Sequence, residues 1–450
     1  MKKSLSLFLC INLFICTFTI IPLNFSAAES SSPYAGNGET SGITGDCTWT
    51  LDGSILTISG IGKMADYDYG VYAPWGCDIT SVVVNDGVTT IGDWAFYDCR
   101  RLTSVSIADS VTSIGNCSFS GCESITSITL PNYIESIGDE AFSGCSYLKT
   151  ITIPDSVTSL GSAFGGCRSL SKVIIGDSVT RIKSYTFENC TNLSSITIGK
   201  SVASLDVFAF FMCNNITNIY ISNIAAWIAF EYHEFVHEYS LYLKGQLIKQ
   251  LRIPNTVTTI ESLAFANCKS ITSVNIPNSV TSIGENAFED CSNLKTVSFG
   301  NSVTFIGYGA FANCNNLKSV TIPDSVKTIG DEAFGYYYNS NQVTPKVYGF
   351  TIYGYEHSAA ETYANENGFT FVKLNKPDLI GDADGNSMIE IVDANYILRY
   401  IAQIDIPYTK QELMRGDVDN SGDLELFDAT CIQRYLANLK IQYKIGEPIT

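Results

Sequence analysis

The sequence predicts a mostly β solenoid of 23-residue repeats, with short strands, helical turns and caps, followed by a small α-helical module with two calcium-binding loops. Three observations predict it. One 23-residue sentence, typified by Ser279–Asn301 (SVTSIGENAFEDCSNLKTVSFGN), recurs in frame from Gly87 to Asp324 with one interruption. Its apolar positions (Val280, Ile283, Phe288, Cys291, Leu294, Val297, Phe299) cannot by themselves offset the entropy of ordering the segment. A lone copy therefore does not fold, and stacked copies must cover one another. Near the end of the chain, Gly381–Gln403 and Gly416–Asn438 are near-duplicates that each open with oxygen-bearing residues at alternating positions.

Residue types place the chain within each coil. Val297 and Phe299 alternate with Thr296 and Ser298, the period of a half-buried strand. Pro-Asn or Pro-Asp, as at Pro131-Asn132 and Pro323-Asp324, suits the tight turn that follows. Val280 and Ile283 begin a return run. Asp139 and Asp331, just ahead of Glu-Ala-Phe, are expected to cap a short helical turn that carries the Ala-Phe pair inward. Cys99, Cys122, Cys145, Cys167, Cys190, Cys213, Cys268, Cys291 and Cys314 share one repeat position, so they read as a ladder of buried thiols rather than disulfides. Cys47 and Cys77 lie outside it and are the candidate disulfide. The recurring AFxxCxxL and the L-x-x-V-x-I core resemble the BspA-like leucine-rich repeats over about Asp46–Asn375. That resemblance implies a secreted or surface-held binding protein with a leucine-rich-repeat solenoid, not an enzyme.

In chain order, residues 1–28 read as a secretory signal peptide: Lys2-Lys3, an apolar run from Leu5 to Leu23, and small residues at Ser26-Ala27-Ala28. Residues 29–45 are a polar arm. An N-terminal cap follows over 46–86, opening with a hairpin about Asp52-Gly53. Tyr67, Tyr69, Tyr72 and Trp75 are expected to seal this cap, with a sugar-stacking platform as the other reading. Outward strand positions such as Ser106, Thr129, Thr152, Thr197, Asn275, Ser298 and Thr321 are small and polar; Ile174, Tyr220 and Phe305 are exceptions. Residues 224–255 break the period. Trp227, Phe230, Tyr232 and Tyr239 there form the expected ligand-contact patch if the insertion protrudes. The same segment holds His233-Glu234-Phe235-Val236-His237, a formal HExxH. Two histidines one helical turn apart would hold zinc and the glutamate would activate water, but 32 residues leave no room for a helical catalytic domain, and the match reads as coincidence. Residues 336–375 form the C-terminal cap, with strands at 350–353 and 369–372 and a helix over 358–367, started by Ser358 and stopped by Gly368.

The tail, residues 379–450, carries two 12-residue loops whose oxygens fall at calcium-ligand spacing. Loop one offers Asp382, Asp384, Asn386, the Met388 carbonyl, Glu390 and Asp393. Loop two offers Asp417, Asp419, Ser421, the Asp423 carbonyl, Glu425 and Asp428. Ile389 and Leu424 are expected to pair as a short strand. Each loop leads into a helix, 393–403 and 428–438, and Thr409-x-x-Glu412 is a capping box for a third. Position 12 is Asp rather than the EF-hand Glu, and Ser387 stands where loop one should have Gly. This arrangement resembles a dockerin domain. The resemblance implies two bound Ca2+ ions and a cohesin partner, read by Ile391, Val392, Leu398, Arg399 and Tyr400 and by their twins Leu426, Phe427, Gln433, Arg434 and Tyr435. Positions 10 and 11 are apolar here, which leaves the cohesin type open.

With 45 acidic against 27 basic residues the formal charge is −18, a field that disfavours nucleic acid. Past the signal, no apolar run is long enough to span a membrane. The functional expectation is a secreted, extracellular or cell-surface, non-catalytic binding protein. Its tail docks onto a cohesin-bearing scaffold in a polysaccharide-degrading context, as in a cellulosome, and its solenoid binds protein or glycan. The alternatives are a host-facing adhesin, a zinc protease through His233 and His237, or a glycoside hydrolase.

Overall fold

The computed structural model describes residues 38–230, 235, 237–337, 345–375, 380–383, 389–437 and 445–446. Residues 1–28, read as the signal peptide, lie outside them. The described residues build two separate hydrophobic cores, one running from Cys47 to Ala364 and one from Ala383 to Ile445.

Each repeat contributes two short parallel strands. The V-x-I segments form one ladder, in which Ile151, Val173, Ile196 and Ile219 align in register across Thr150–Thr152, Lys172–Ile174, Ser195–Thr197 and Asn218–Ile221. The return runs form the second, aligning Ile91, Ile114, Ile137 and Leu160. The aligned residues are buried while their strand neighbours face outward, because side chains alternate across a strand. Between the ladders the Phe column stacks: Phe119, Phe142, Phe164 and Phe187 lie 5.3, 5.3 and 5.5 Å apart with nearly parallel rings.

The cysteines form the expected ladder, and the geometry gives them a second task. Seven of the nine thiols donate to the carbonyl of the Phe one coil back, among them Cys122 to Phe96 (3.1 Å), Cys145 to Phe119 (3.3 Å), Cys167 to Phe142 (3.2 Å) and Cys291 to Phe265 (3.2 Å), whereas Cys99 donates to the Gly76 carbonyl (3.9 Å) and Cys268 pairs with the Ser270 hydroxyl (3.5 Å). The position needs a side chain that is small, apolar and still a donor, which only Cys supplies. Burial pushes the Cys167 thiol up to about 12 and Cys268 to about 11. Cys47 and Cys77 are also free. Their thiols donate to the carbonyls of Gly62 (3.6 Å) and Tyr97 (3.2 Å), so the disulfide expected between them is not formed.

Three further expectations are corrected. The segment ahead of Ala-Phe is a turn, not a helical turn. Asp139 caps nothing in its own coil; its Oδ1 accepts the N–H of Ser162, one coil on (2.8 Å), just as Asn116 serves Asp139 (2.8 Å) and Asp93 serves Asn116 (2.7 Å). The backbone N–H there has no partner within its own coil, so the polar side chain staples coil to coil. Asp331 accepts at the same turn through its carbonyl, from the Gly309 N–H (3.0 Å). Finally, the arm is not wholly free: Ser41–Thr44 pairs antiparallel with Cys47–Asp52, adding a strand to the expected hairpin.

The caps otherwise follow the sequence. At the C-terminal end, Thr351–Gly354 and Thr370–Lys373 pair in parallel around the helix Ala359–Asn367, which Ser358 caps and Gly368 (φ 65°) ends. The described residues of the period-breaking insertion pack into the solenoid instead of protruding. Its helix Ile224–Ile228 is capped by Asn223, its strand Ser240–Leu243 joins the ladder beside Asn218–Ile221, and Gln246–Leu247 turns back on that strand as an antiparallel hairpin.

Candidate functional site

Loop two closes on itself. The N–H groups of Ser421 and Gly422 donate to the Asp417 carboxylate (3.0 and 2.8 Å), and the Ser421 N–H also reaches Asp419 (3.1 Å). Gly422 sits at φ 88°, a left-handed turn that glycine takes without strain. Asp428, buried in the first turn of helix Leu426–Leu436, accepts the N–H groups of Val418 (2.9 Å) and Glu425 (2.8 Å), tying the helix to the start of the loop. Carboxylate oxygens of Asp417, Asp419 and Asp428 thereby come within 4.8 Å of one another. Burial raises the Asp428 pKa, and the charges of Asp417 and Asp419 push the same way against the hydrogen bonds that lower it. Three carboxylates so close repel one another unless a cation lies among them, and an all-oxygen set of this kind suits calcium. Ser421 donates its hydroxyl to the Asp423 carbonyl (3.1 Å), while the Asp423 side chain pairs with Lys410. Glu425 is exposed.

Loop one is described only at its ends. Asp382 and Asp393 are fully buried, and Asp393 accepts the Glu390 N–H (2.6 Å), the same bond that Asp428 makes to Glu425. Asp384, Asn386 and Met388 lie outside the described residues. Ile389 and Leu424 form no strand; Leu424 is buried in the tail core and Ile389 packs against it. The helices Ile391–Ile401 and Leu426–Leu436 begin two residues earlier than the sequence reading placed them. The Thr409–Glu412 capping box starts the short helix Lys410–Leu413 between them. Both long helices carry apolar residues outward: Ile391, Val392, Leu426, Phe427 and Tyr435 are exposed, as are Arg399, Gln433 and Arg434, with Leu398 and Tyr400 half-buried. Val392, Tyr396, Leu398, Arg399 and Ile404 line a hollow of about 510 Å³ on the first helix.

The aromatic patch expected on the insertion is core. Trp227, Phe230 and Tyr239 are at most 2 % exposed; Tyr232 lies outside the described residues. The coil that the insertion replaces still owes a ring to the Phe column. Phe235 supplies it, 5.8 Å from Phe210 and 5.7 Å from Trp227, and the Trp227 indole N–H donates to the Ala264 carbonyl (2.8 Å). His233 and Glu234 also lie outside the described residues. Phe235 and His237, the described members of the HExxH, are not helical.

Apolar side chains reach solvent one coil earlier instead. Tyr185, Val207, Phe208, Phe211 and Met212 are 39 to 51 % exposed and adjoin: Tyr185 stacks on Phe208 (5.7 Å, 19°), and Phe208 meets Phe211 edge-on (5.5 Å). Of the expected outward exceptions, Tyr220 is paired, stacking on Tyr242 at 4.5 Å, whereas Phe305 is 40 % exposed.

The family profile described as BspA type leucine rich repeat region (6 copies) matches residues 70–163, 162–242 and 235–347, more than half of the chain. The chain belongs to the BspA-type leucine-rich-repeat family. Among solved structures it is similar to a leucine-rich repeat protein from Bacteroides ovatus (23 % identity over 74 % of this chain and 99 % of that one, TM-score 0.42). It is also similar to a leucine rich cell surface protein from Faecalibacterium prausnitzii (26 %, 75 % and 95 %, TM-score 0.35) and to the pneumococcal vaccine antigen PcpA (16 %, 76 % and 99 %, TM-score 0.34). No curated protein matches the chain.

The BspA-type coil exposes what is unusual about the apolar patch. The residue before each ladder cysteine is left-handed in every described coil, and it is Asp98, Gly121, Gly144, Gly166, Asn189, Asn267, Asp290, Asn313 and, in the coil without a cysteine, Gly335. Those are the residue types that tolerate positive φ. Met212 alone breaks the rule, at φ 62°; Phe208, at φ 66°, occupies a turn that is left-handed in other coils as well, as at Trp94, Glu140, Tyr185 and Leu263. A left-handed non-glycine residue costs roughly 1–2 kcal/mol, and neither half-exposed side chain recovers that in the BspA-type core. The signal was present in the sequence, as FMC in the register where other repeats read DC, GC or NC.

Proposed function

We propose that this BspA-type protein is an exported, non-catalytic binding protein held at a cell surface or in a cellulosome by a C-terminal dockerin. The dockerin pairs, in a calcium-dependent way, with a cohesin module of a scaffold protein, and the solenoid presents a protein-binding surface. The observation that carries the first half is the convergence of Asp417, Asp419 and Asp428 at the head of a helix whose outer face is apolar. Asp382 and Asp393 are the corresponding ends of loop one. Calcium, when bound, neutralises the clustered carboxylates. The residues themselves do the rest: Asp428 ties helix to loop, and Leu426, Phe427 and Tyr435, with Ile391 and Val392 opposite, supply desolvatable contact area. Tyr185, Phe208, Phe211 and Met212 support the second half, as an aromatic and Met cluster of the composition found at interface hot spots.

The test is a pull-down of the full chain against the cohesins of its own organism, in calcium and in chelator. Capture in calcium that is lost in chelator, and lost on Leu426→Asp/Phe427→Asp, is the expected result. Capture that ignores chelator, or no capture by any cohesin, overturns the docking half. Capture of partner proteins by a tail-deleted chain, abolished by Phe208→Ser/Met212→Asn, tests the solenoid half separately.

A further inference from the structure

We propose that the N-terminal cap and the first coil carry a stacking site for a neutral carbohydrate, formed by Tyr69, Trp94 and Tyr97. The site is independent of the tail and of the Tyr185–Met212 patch. The three rings adjoin: Trp94 and Tyr97 are 4.7 Å apart, Tyr69 and Trp94 5.5 Å, and Tyr69 and Tyr97 6.3 Å. Tyr69 is 76 % exposed, and the other two are half-buried.

These rings do not seal the cap. Tyr67 and Trp75 do that: Trp75 is buried between Trp49 (5.8 Å) and Phe96 (5.8 Å), and the Tyr67 hydroxyl hydrogen-bonds the Thr44 hydroxyl (2.9 Å). Tyr69, between them in sequence, turns the other way. Trp94 (φ 57°) holds a turn position that is left-handed in other coils too and takes residues as different as Cys117, Glu140, Tyr185, Leu263 and Gly309. The fold asks for no indole there, and Trp94 adds nothing to the Phe column.

The residues beside the rings in sequence are acidic, and two of them are held by hydrogen bonds. Asp68, Asp93 and Asp98 each adjoin one of the rings in sequence. The Asp93 carboxylate accepts the N–H and Nδ2 of Asn116 (2.7 and 2.9 Å), Asp66 accepts the Asp93 N–H (2.9 Å), and Asp98 accepts Arg100 Nε (2.8 Å). The rings are inclined to one another by 57 to 69°, a twisted set of aromatic faces that, with the neighbouring carboxylates, suits a pyranose with equatorial hydroxyls. Its C–H faces lie on the rings, and its hydroxyls donate to the carboxylates. The acidic residues beside the rings, on a chain of net charge −18, repel uronate- or sialate-bearing glycans. Three rings are far short of the roughly 800 Å² per side that a stable protein interface needs, whereas one or two sugar rings need no more.

The structure supplies a selective readout. Of the four tryptophans, Trp49, Trp75 and Trp227 are buried, so collisional quenching by acrylamide reports Trp94. In the full chain, cellohexaose or xylohexaose is expected to protect Trp94 from acrylamide, and oligogalacturonate is not. By titration calorimetry Tyr69→Ala and Trp94→Asn should each weaken binding about ten-fold or more. Thermal stability should be unchanged, or raised for Trp94→Asn, since Asn suits the left-handed turn. Absence of protection by either neutral oligosaccharide, stronger binding of oligogalacturonate, or variants that bind as the parent does would each overturn the proposal. So would a fall in melting temperature of both variants in step with lost binding, which would make the rings structural.

Discussion

At the residue scale, the ladder cysteines and the left-handed positions carry the sharpest consequences. Cys145→Val removes the thiol donor, so that the Phe119 carbonyl keeps only the Cys122 N–H (3.2 Å), and adds bulk at a fully buried site. It should cost about 1–3 kcal/mol in denaturant unfolding; no loss of stability would mean that neither the bond nor the tight fit matters there. Glu289 gives a pH signature. Burial, reinforced by Asp290 and Glu332, pushes its carboxyl up to about 7. Because the folded-state value is raised, its contribution is full below the unfolded value near 4.5 and is lost as pH rises through 7. Glu289→Gln should therefore stabilise the solenoid at pH 8, by on the order of 1–2 kcal/mol, and change little at pH 4; a gain that is the same at both pH values would refute the assignment.

At the element scale, a coil is defined by what it hands to its neighbour: a Phe ring, a thiol, a polar staple and two strands. The insertion shows which of these are indispensable. Its irregular chain keeps the strand, in Ser240–Leu243, and the ring, in Phe235, and gives up the period. The Phe208–Met212 turn keeps the whole framework but puts an exposed Met where Asp, Gly or Asn belongs. Met212→Asn should raise stability by up to about 1 kcal/mol, read as a higher denaturant midpoint with unchanged slope. A loss of stability would place Met212 in the core after all. In the tail, the loop and helix of each duplicate act as one element, because Asp393 and Asp428 bond backward to Glu390 and Glu425.

At the scale of the whole molecule, two hydrophobic cores imply two unfolding events. A calcium ion that binds only the folded tail stabilises it by about 2.7 kcal/mol at a hundred-fold excess over Kd and leaves the solenoid untouched. Calorimetry in calcium and in chelator should move one transition and not the other; a shift of both, or of neither, would contradict the loop assignment.

The repeat made most of this legible. Period, strand pair, thiol ladder, hairpin at Asp52-Gly53 and C-terminal helix from Ser358 to Gly368 are all local or periodic features, and a sequence of near-copies states its own packing: a coil that cannot fold alone must bury the same positions every time. The spacing of the tail acids is equally local, so Asp417, Asp419 and Asp428 could be named before their oxygens were seen to converge. Tertiary structure alone decided which aromatics are buried. Trp227, Phe230 and Tyr239 look like a surface patch because they break the repeat, yet they are buried, with Trp227 and Tyr239 packed on Phe235, the ring that continues the stacked column. Tyr69, Trp94 and Phe208 look like ordinary repeat and cap residues, and they reach solvent because the chain around them has already satisfied its core. Composition cannot separate those cases, since whether an apolar side chain is covered depends on what lies one coil away.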